Sequence, residues 1–355
     1  MKKQIHGGDV YRNPDALDFS ANMNPLGTPE SVILAAQEGV RKICNYPDVR
    51  QTRLKEALAE YEQVPEESLV CGNGAAELIF MFAQALRPRR AVVLAPTFAE
   101  YELALKSVGC QVEHVRLLEE EEFELRSAAS ICALVSSGAD LVCLCNPNNP
   151  TGKLIDREVI LEILEHCRKH NARMLLDECF NDFIDEPEQY TLKGELNRYP
   201  NLFLLKAFTK RYSMAGIRLG YGISSDAELL DRMRSCVQPW NLSIPAQEAG
   251  VAALQEEEYV RKARHLIARE RGWMKEEMEK LGLKVYDSKA NYIFFQGPRD
   301  LVEHCLEQKV LIRDCSNYIG LEKGFYRVAV KLHEENEQLL KALRYELGGG
   351  IWQRL

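Results

Sequence analysis

Lys210 stands in Ala207-Phe208-Thr209-Lys210, just beyond the apolar run Leu202–Leu205. A lysine at the end of a buried stretch is poorly explained as a solvated charge. Desolvation and cationic neighbours lower an ammonium's pKa, and the neutral amine can form a Schiff base with a carbonyl compound. Arg211 and Arg218 are such neighbours in sequence. Arg218 falls in Gly216-Ile217-Arg218-Leu219-Gly220-Tyr221, which reads as a further strand, and a guanidinium there could hold a phosphate bidentately. Taken alone, Lys210 also reads as a surface or ion-paired lysine. Lys206 competes with it but has no matching partner residues.

Three other segments carry chemistry. Asp177 closes Met174-Leu175-Leu176-Asp177, and a carboxylate there would be costly to bury unpaired. Facing a pyridine nitrogen it would keep that ring protonated and able to accept electrons from a substrate; an N-cap or an ion pair is the plainer reading. Gly72-Asn73-Gly74-Ala75-Ala76-Glu77 opens an apolar helix running through Leu78, Ile79 and Phe82. Glycines there let backbone N–H groups approach a phosphate at the positive end of the helix dipole, although the segment fails as a dinucleotide fingerprint because Glu77 stands where glycine is needed. Asn146-Pro147-Asn148-Asn149-Pro150-Thr151-Gly152 is turn chemistry or a site.

What positions these groups is an alternation of strands and helices. Ala91–Ala95, Leu141–Cys145, Met174–Leu176 and Leu202–Leu205 read as buried strands, and residues 156–170 as an amphipathic helix with Val159, Ile160, Ile163 and Leu164 on its apolar side. Such alternation implies a mainly parallel sheet covered on both faces, an α/β fold. In these sheets ligands lie beyond the carboxyl ends of the strands, and each predicted strand delivers polar or aromatic residues there: Pro96-Thr97-Phe98, the Asn/Pro run, Asp177-Glu178 and Thr209-Lys210. From about Gln247 two long charged helical segments, to about Leu281 and then 300–308, frame strands at 291–295 and 325–330, an α+β tail.

Composition narrows the setting. The 355 residues are 46% hydrophobic and 28% charged, a globular balance, and the net charge of −8 gives no footprint for nucleic acid or an anionic membrane. No stretch approaches a membrane helix, and the start lacks a signal-peptide run, which points to the cytoplasm. The 11 cysteines are scattered without C-x-x-C spacing; buried, reduced thiols and no metal site are expected. Cys143 and Cys145 would share one face of a strand.

Together the residues resemble the fold-type I pyridoxal 5'-phosphate (PLP) enzymes of the class I/II aminotransferase family, over nearly the whole chain. The resemblance implies the aspartate-aminotransferase-like fold: a mainly parallel central sheet in a large PLP-binding domain, 31–245, and a smaller α+β domain, 246–355, joined by an arm, 1–30. It implies that Lys210 carries PLP and is the catalytic lysine, that Gly74, Ala75, Thr209 and Arg218 hold the cofactor phosphate, and that Asn149 bonds the ring's phenolic oxygen. Asp177 would partner the ring nitrogen, Phe98 would stack on the ring, and Tyr46, in Asn45-Tyr46-Pro47, would reach the cofactor phosphate of a second subunit in a homodimer. Arg327 would pair with a substrate carboxylate. Two positions depart from the pattern: Phe180 stands where many members have a tyrosine donor, and Ala207 where a hydroxyl residue often serves the phosphate.

Within the family, three segments resemble the L-threonine-O-3-phosphate decarboxylases of cobalamin biosynthesis. They are His6-Gly7-Gly8 with the run from Asp18 to Gly27, Gln238-Pro239-Trp240, and the run from Ile312 to Leu321 leading into Tyr326-Arg327-Val328. Histidinol-phosphate aminotransferases are the near relatives and the alternative activity. A substrate bearing phosphate and carboxylate needs several cations, and His6, Arg313, Arg327 and Lys331, with Asn24, are the expected substrate contacts. Lys331 stands where the decarboxylases are expected to carry arginine. A non-catalytic module of the same fold, as in regulators fused to a DNA-binding domain, is the contrasting reading; no helix-turn-helix segment or basic flank precedes His6.

Overall fold

The computed structural model describes residues 6–347; the outermost parts of the expected arm and small domain lie outside these. A short first strand, β1 (Leu17–Asp18), precedes a seven-stranded sheet. Its strands are β2 (Leu69–Gly72), β3 (Arg90–Ala95), β4 (Gln111–Arg116), β5 (Leu141–Cys145), β6 (Arg173–Asp177), β7 (Leu202–Ala207) and β8 (Gly220–Ile223). Their order across the sheet is β2-β8-β7-β6-β5-β3-β4. Only β8 runs against its neighbours β2 and β7; the other pairings are parallel, as the alternating pattern predicts.

Side-chain alternation divides the sheet between two cores. Val93, Cys143, Cys145, Leu175 and Leu205 face the apolar helix Ala75–Leu86 and its neighbours. Val92, Val142, Leu144, Leu176 and Leu204 face the opposite layer, which includes Ile160, Ile163 and Leu164 of the helix Arg157–Lys169. The two-residue period of a strand does this sorting, and it places Cys143 and Cys145 on one face as expected. Eight of the eleven cysteines are buried.

The rest of the chain builds a four-stranded antiparallel sheet from β9 (Lys284–Tyr286), β10 (Tyr292–Gln296), β12 (Arg313–Asp314) and β13 (Phe325–Ala329), in the order β12-β13-β10-β9. Between β10 and β12, β11 (Val310–Leu311) pairs in parallel with β1. Phe19 continues that contact, its N–H donating to Leu311 O at 2.8 Å and its carbonyl accepting from Ala329 N–H at 2.8 Å. The amino-terminal segment is thereby stitched into a third core with Ile293, Phe295, Val328 and Leu339. The single long helix expected to reach Leu281 is two, Ile244–Ala253 and Glu257–Lys280. Arg218 is not in a strand: β8 begins at Gly220, and Arg218 sits before it in a left-handed turn with φ 62°.

Candidate active site

The carboxyl ends of β3, β5, β6 and β7 open on a cavity of about 250 Å³ between the two sheets. Lys210 lies on a one-turn helix, Phe208–Arg211, that follows β7. It is half-buried, and its Nζ is 3.8 Å from Met23 Sδ. Burial, and then the charges of Arg327 and Arg218, lower its pKa to about 8. The competing Lys206 is excluded by strand parity, which turns it to the other face of the sheet. There it meets Glu62 at 3.2 Å and Glu178 at 3.9 Å. Burial opposes its charge, but those carboxylates outweigh burial and hold it as the ammonium.

Asp177 ends β6 at 5% exposure. The Cys179 N–H donates to its Oδ1 at 2.8 Å, and the Tyr101 hydroxyl donates to Oδ2. Burial nevertheless pushes its carboxyl up from the usual range, against those hydrogen bonds. No ion pair reaches it among the described residues, so this buried acid lacks the cation that would offset its desolvation. A protonated ring nitrogen is such a cation.

The asparagine run after β5 divides its labour. Asn146 and Asn148 bind the loop: Asn146 Oδ1 accepts from Ile155 N–H at 2.8 Å, while Asn148 Nδ2 donates to Pro96 O at 3.0 Å and its Oδ1 accepts from Thr97 Oγ1 at 2.6 Å. That leaves Asn149 facing the cavity. Its Oδ1 accepts from Arg327 Nη1 and, at 3.4 Å, from Tyr318 Oη. With the oxygen so engaged, the Nδ2 hydrogens are turned to serve an acceptor such as a phenolic oxygen. Phe98 lines the same wall, edge-on to Tyr101 with centroids 5.7 Å apart.

At one end of the cavity, Gly74 caps the helix Ala75–Leu86 with φ 84°, and a Cβ there would sit 2.5 Å from Arg218 Nη2. Glycine is thus required both for the turn and for the guanidinium's approach. The Gly74 N–H itself donates to Gly72 O at 2.8 Å, so the amides offered at this helix start are those of Ala75 and Ala76, both on the cavity wall. Ala76 has no sequence signal beyond its place in the helix. Thr209 and Arg218 also line this end. A dianion fits the combination of helix start, hydroxyl and guanidinium. Ala207 and Phe180 line the cavity without a hydroxyl, as the sequence dictates; Phe180 packs edge-on to Tyr292.

Cations gather at the other end. Arg327 is buried, its Nη2 donating to Ser20 O at 2.9 Å, while its Nε has no hydrogen-bond partner among the described residues. Arg313 donates from Nη2 to Asn317 Oδ1 at 2.8 Å, and His6 stands at the rim. Two expected substrate contacts are elsewhere. Asn24 is buried behind the lysine: its N–H donates to Lys210 O at 3.1 Å and its Nδ2 to Arg211 O at 2.8 Å, so it clamps the backbone that carries Lys210. Asn22, two residues earlier, lines the cavity instead, its buried Oδ1 without a hydrogen-bond partner among the described residues. Lys331 pairs with Glu335 at 2.6 Å and is not on the cavity wall; a carboxylate one helical turn away captures it. Tyr46 lies outside the cavity of its own chain, 78% exposed and stacked on Trp240 at 4.6 Å.

The sequence profile of the family described as aminotransferase class I and II matches residues 14–343. A threonine-phosphate decarboxylase of Salmonella typhimurium is 38% identical over 97% of this chain and 97% of its own. Among solved structures, a histidinol-phosphate aminotransferase from Clostridium acetobutylicum superimposes with a TM-score of 0.87 at 31% identity, covering 94% of this chain and 99% of its own. An L-threonine-O-3-phosphate decarboxylase from Porphyromonas gingivalis does so with a TM-score of 0.80 at 25% identity, covering 93% and 99%.

Proposed function

This chain belongs to the aminotransferase class I and II family of PLP enzymes, and on that premise we propose that it decarboxylates L-threonine O-3-phosphate to an aminopropanol phosphate, a step of cobalamin biosynthesis. The observation that carries the reading is the cavity's two separate cationic ends, one suited to the cofactor phosphate and one to a substrate that is itself both a carboxylate and a phosphate. Whole-chain likeness to a threonine-phosphate decarboxylase supports the choice of substrate.

Lys210 would hold the cofactor, with Asp177 on its ring nitrogen, the Asn149 amide on its phenolic oxygen and Phe98 against its ring. The Ala75 and Ala76 amides, Thr209 and Arg218 would take its phosphate. When bound, PLP supplies a conjugated ring that accepts the electron pair left on the substrate's alpha carbon as carbon dioxide departs. Arg327 holds the carboxylate, its guanidinium fixed by Asn149 and Ser20, and so sets which bond of the alpha carbon is presented to that ring. With its pKa brought to about 8 by burial and by Arg327 and Arg218, Lys210 can hold a proton on Nζ and return it to the alpha carbon. His6 and Arg313 receive the substrate phosphate. Transamination of histidinol phosphate is the alternative on the same residues, favoured by the structural likeness to an aminotransferase; it differs in which bond is aligned.

We extend the proposal to a cytoplasmic homodimer in which Tyr46 completes the second subunit's site; its exposure outside its own cavity supports this. No described helix is long and apolar enough to cross a membrane.

The test is incubation of the PLP-loaded protein with L-threonine O-3-phosphate and no keto acid, following carbon dioxide by mass spectrometry. Multiple-turnover release, lost in Lys210→Ala, is expected. Absence of release, with histidinol phosphate instead driving glutamate formation from 2-oxoglutarate, would overturn the decarboxylase.

A further inference from the structure

The end of the cavity that holds Arg313 also holds a carboxylate without an assigned task. Glu100 opens the helix Glu100–Ser107 and lines the cavity, with its side chain 12% exposed. Its Oε1 lies 3.4 Å from His6 Nε2, while its Oε2 is buried and has no hydrogen-bond partner among the described residues. The groups facing it are His6 from the amino-terminal segment, Arg313 from β12, and Tyr318 from the turn that follows. Burial pushes its carboxyl up from the ordinary range, against the charge of His6, its own backbone N–H and the charge of Arg313.

The approach of His6 is built into the backbone. A Cβ on Gly7 would lie 2.2 Å from Ser20 O, so only glycine allows this close passage. The next residue's N–H donates to Ser20 Oγ at 2.7 Å, and that hydroxyl in turn donates to Asp18 Oδ1 at 2.6 Å. The segment is thus tied to the same loop that holds Arg327, and it sets the imidazole against Glu100.

We propose that Glu100 binds the substrate phosphate in its protonated form, taking up one proton from solvent as the phosphate enters. Its Oε1 then accepts from the His6 N–H, and its Oε2–H donates to a phosphate oxygen. The assignment rests on the reading of this end as the phosphate subsite. An ionised Oε2 would repel a phosphate dianion, whereas a protonated one gives it a hydrogen bond and gains the partner that this buried oxygen lacks. Because binding consumes a proton, affinity must fall as pH rises, by up to about tenfold per unit while Glu100 is ionised in the free enzyme. Glutamine reproduces the shape and hydrogen bonding of the protonated acid without a titration, accepting from His6 and donating to phosphate.

The test uses PLP-loaded enzyme between about pH 7 and pH 9, where a phosphate monoester is mainly the dianion. The Kd of methyl phosphate, which has no amine to titrate, is measured beside the KM for L-threonine O-3-phosphate. In the unaltered protein both constants are expected to rise several-fold or more over the range. Glu100→Gln should flatten the methyl phosphate curve and bind more tightly than the unaltered protein at the upper end, while Glu100→Ala should be weaker than Glu100→Gln throughout. His6→Gln should keep the rise, which separates the role of Glu100 from that of its imidazole neighbour. A Glu100→Gln curve that follows the unaltered protein, or an unaltered protein with no pH dependence, would overturn the role of Glu100. Proton-linked binding without carbon dioxide release would sink the proposed reaction and leave Glu100 in place; release without the linkage would do the reverse.

Discussion

Asp177 shows what a single buried residue asks of its ligand. Its carboxylate has two hydrogen-bond donors but no ion pair among the described residues, and burial raises its pKa. In the loaded enzyme a ring N–H⁺ would supply the missing charge. Asp177→Asn keeps the shape and can still accept hydrogen bonds, but cannot hold that charge. Turnover is therefore expected to fall by about 10²–10³-fold, the scale of losing one preorganised charged contact, while the protein still binds PLP. Carbon dioxide release and the cofactor's absorbance measure the two separately; retained turnover would remove Asp177 from its assigned role. At this scale much of the cavity wall was legible. Lys210, Asp177, Asn149 and Phe98 stand at the ends of apolar runs, and the geometry of parallel sheets says what strand ends do. Asn24 and Asn22 could not be told apart, because which of two asparagines in a loop turns inward depends on partners as distant as Arg211. Lys331 was misplaced for a similar reason: Glu335 claims it. Glu100 has no marker in sequence, since one acid at a helix start is ordinary capping chemistry.

Most central strands were legible because burial there is complete, although the four-residue β2, buried throughout, was not among those expected. The strand at Leu141–Cys145 matches its expectation residue for residue, because both of its faces are apolar. β4 escaped notice because Gln111–Arg116 is an edge strand, half-exposed and mixed in character, and the break between the helices Ile244–Ala253 and Glu257–Lys280 carries no glycine or proline to mark it. Strand parity also sends Lys206 to the buried ionic cluster under β7, where Glu62 holds it and accepts from the Tyr221 hydroxyl. Burial alone would raise the Glu62 pKa; Lys206, the Tyr221 hydrogen bond and Lys193 reverse this and bring it from 4.5 to about 2. The folded-state value lies below the unfolded one. Its contribution is therefore complete above about pH 4.5 and is lost as pH falls towards 2, on the order of 3 kcal/mol across that window. Glu62→Gln should be destabilised at neutral pH, leaving Lys206 buried without its main partner. The gap from the unaltered protein should narrow with acid through that window. Denaturant unfolding at several pH values reads it directly; a gap that stays constant would mean that Glu62 acts through packing alone.

At the scale of the whole molecule, the two sheets are tied by the segment that begins at His6. It pairs β1 with β11, gives Phe19 to the third core, and passes Met23 and Asn24 against Lys210. The cavity between the sheets is therefore assembled from distant parts of the chain, which sequence periodicity could suggest only as separate strand ends. One expected part, Tyr46, is still absent from it. Tyr46 and Trp240 form a stacked pair with large exposure, 78% and 48%, more than two neighbouring aromatic rings usually leave to water. If a second copy brings its Tyr46 to this cavity, neither Lys210→Ala nor Tyr46→Ala can build a complete site alone, because each homodimer repeats its own defect. A mixed dimer can: the chain that keeps Lys210 receives Tyr46 from its partner. Random re-pairing of equal amounts makes about half of the dimers mixed, each with one intact site, so about a quarter of the unaltered activity should return at limiting PLP. The readout is carbon dioxide release after the two variants are unfolded and refolded together, set against each refolded alone. Recovery would require that the site be shared between chains. No recovery, with a mass that shows mixed dimers had formed, would confine Tyr46 to its own chain and leave the exposed aromatic pair to another role.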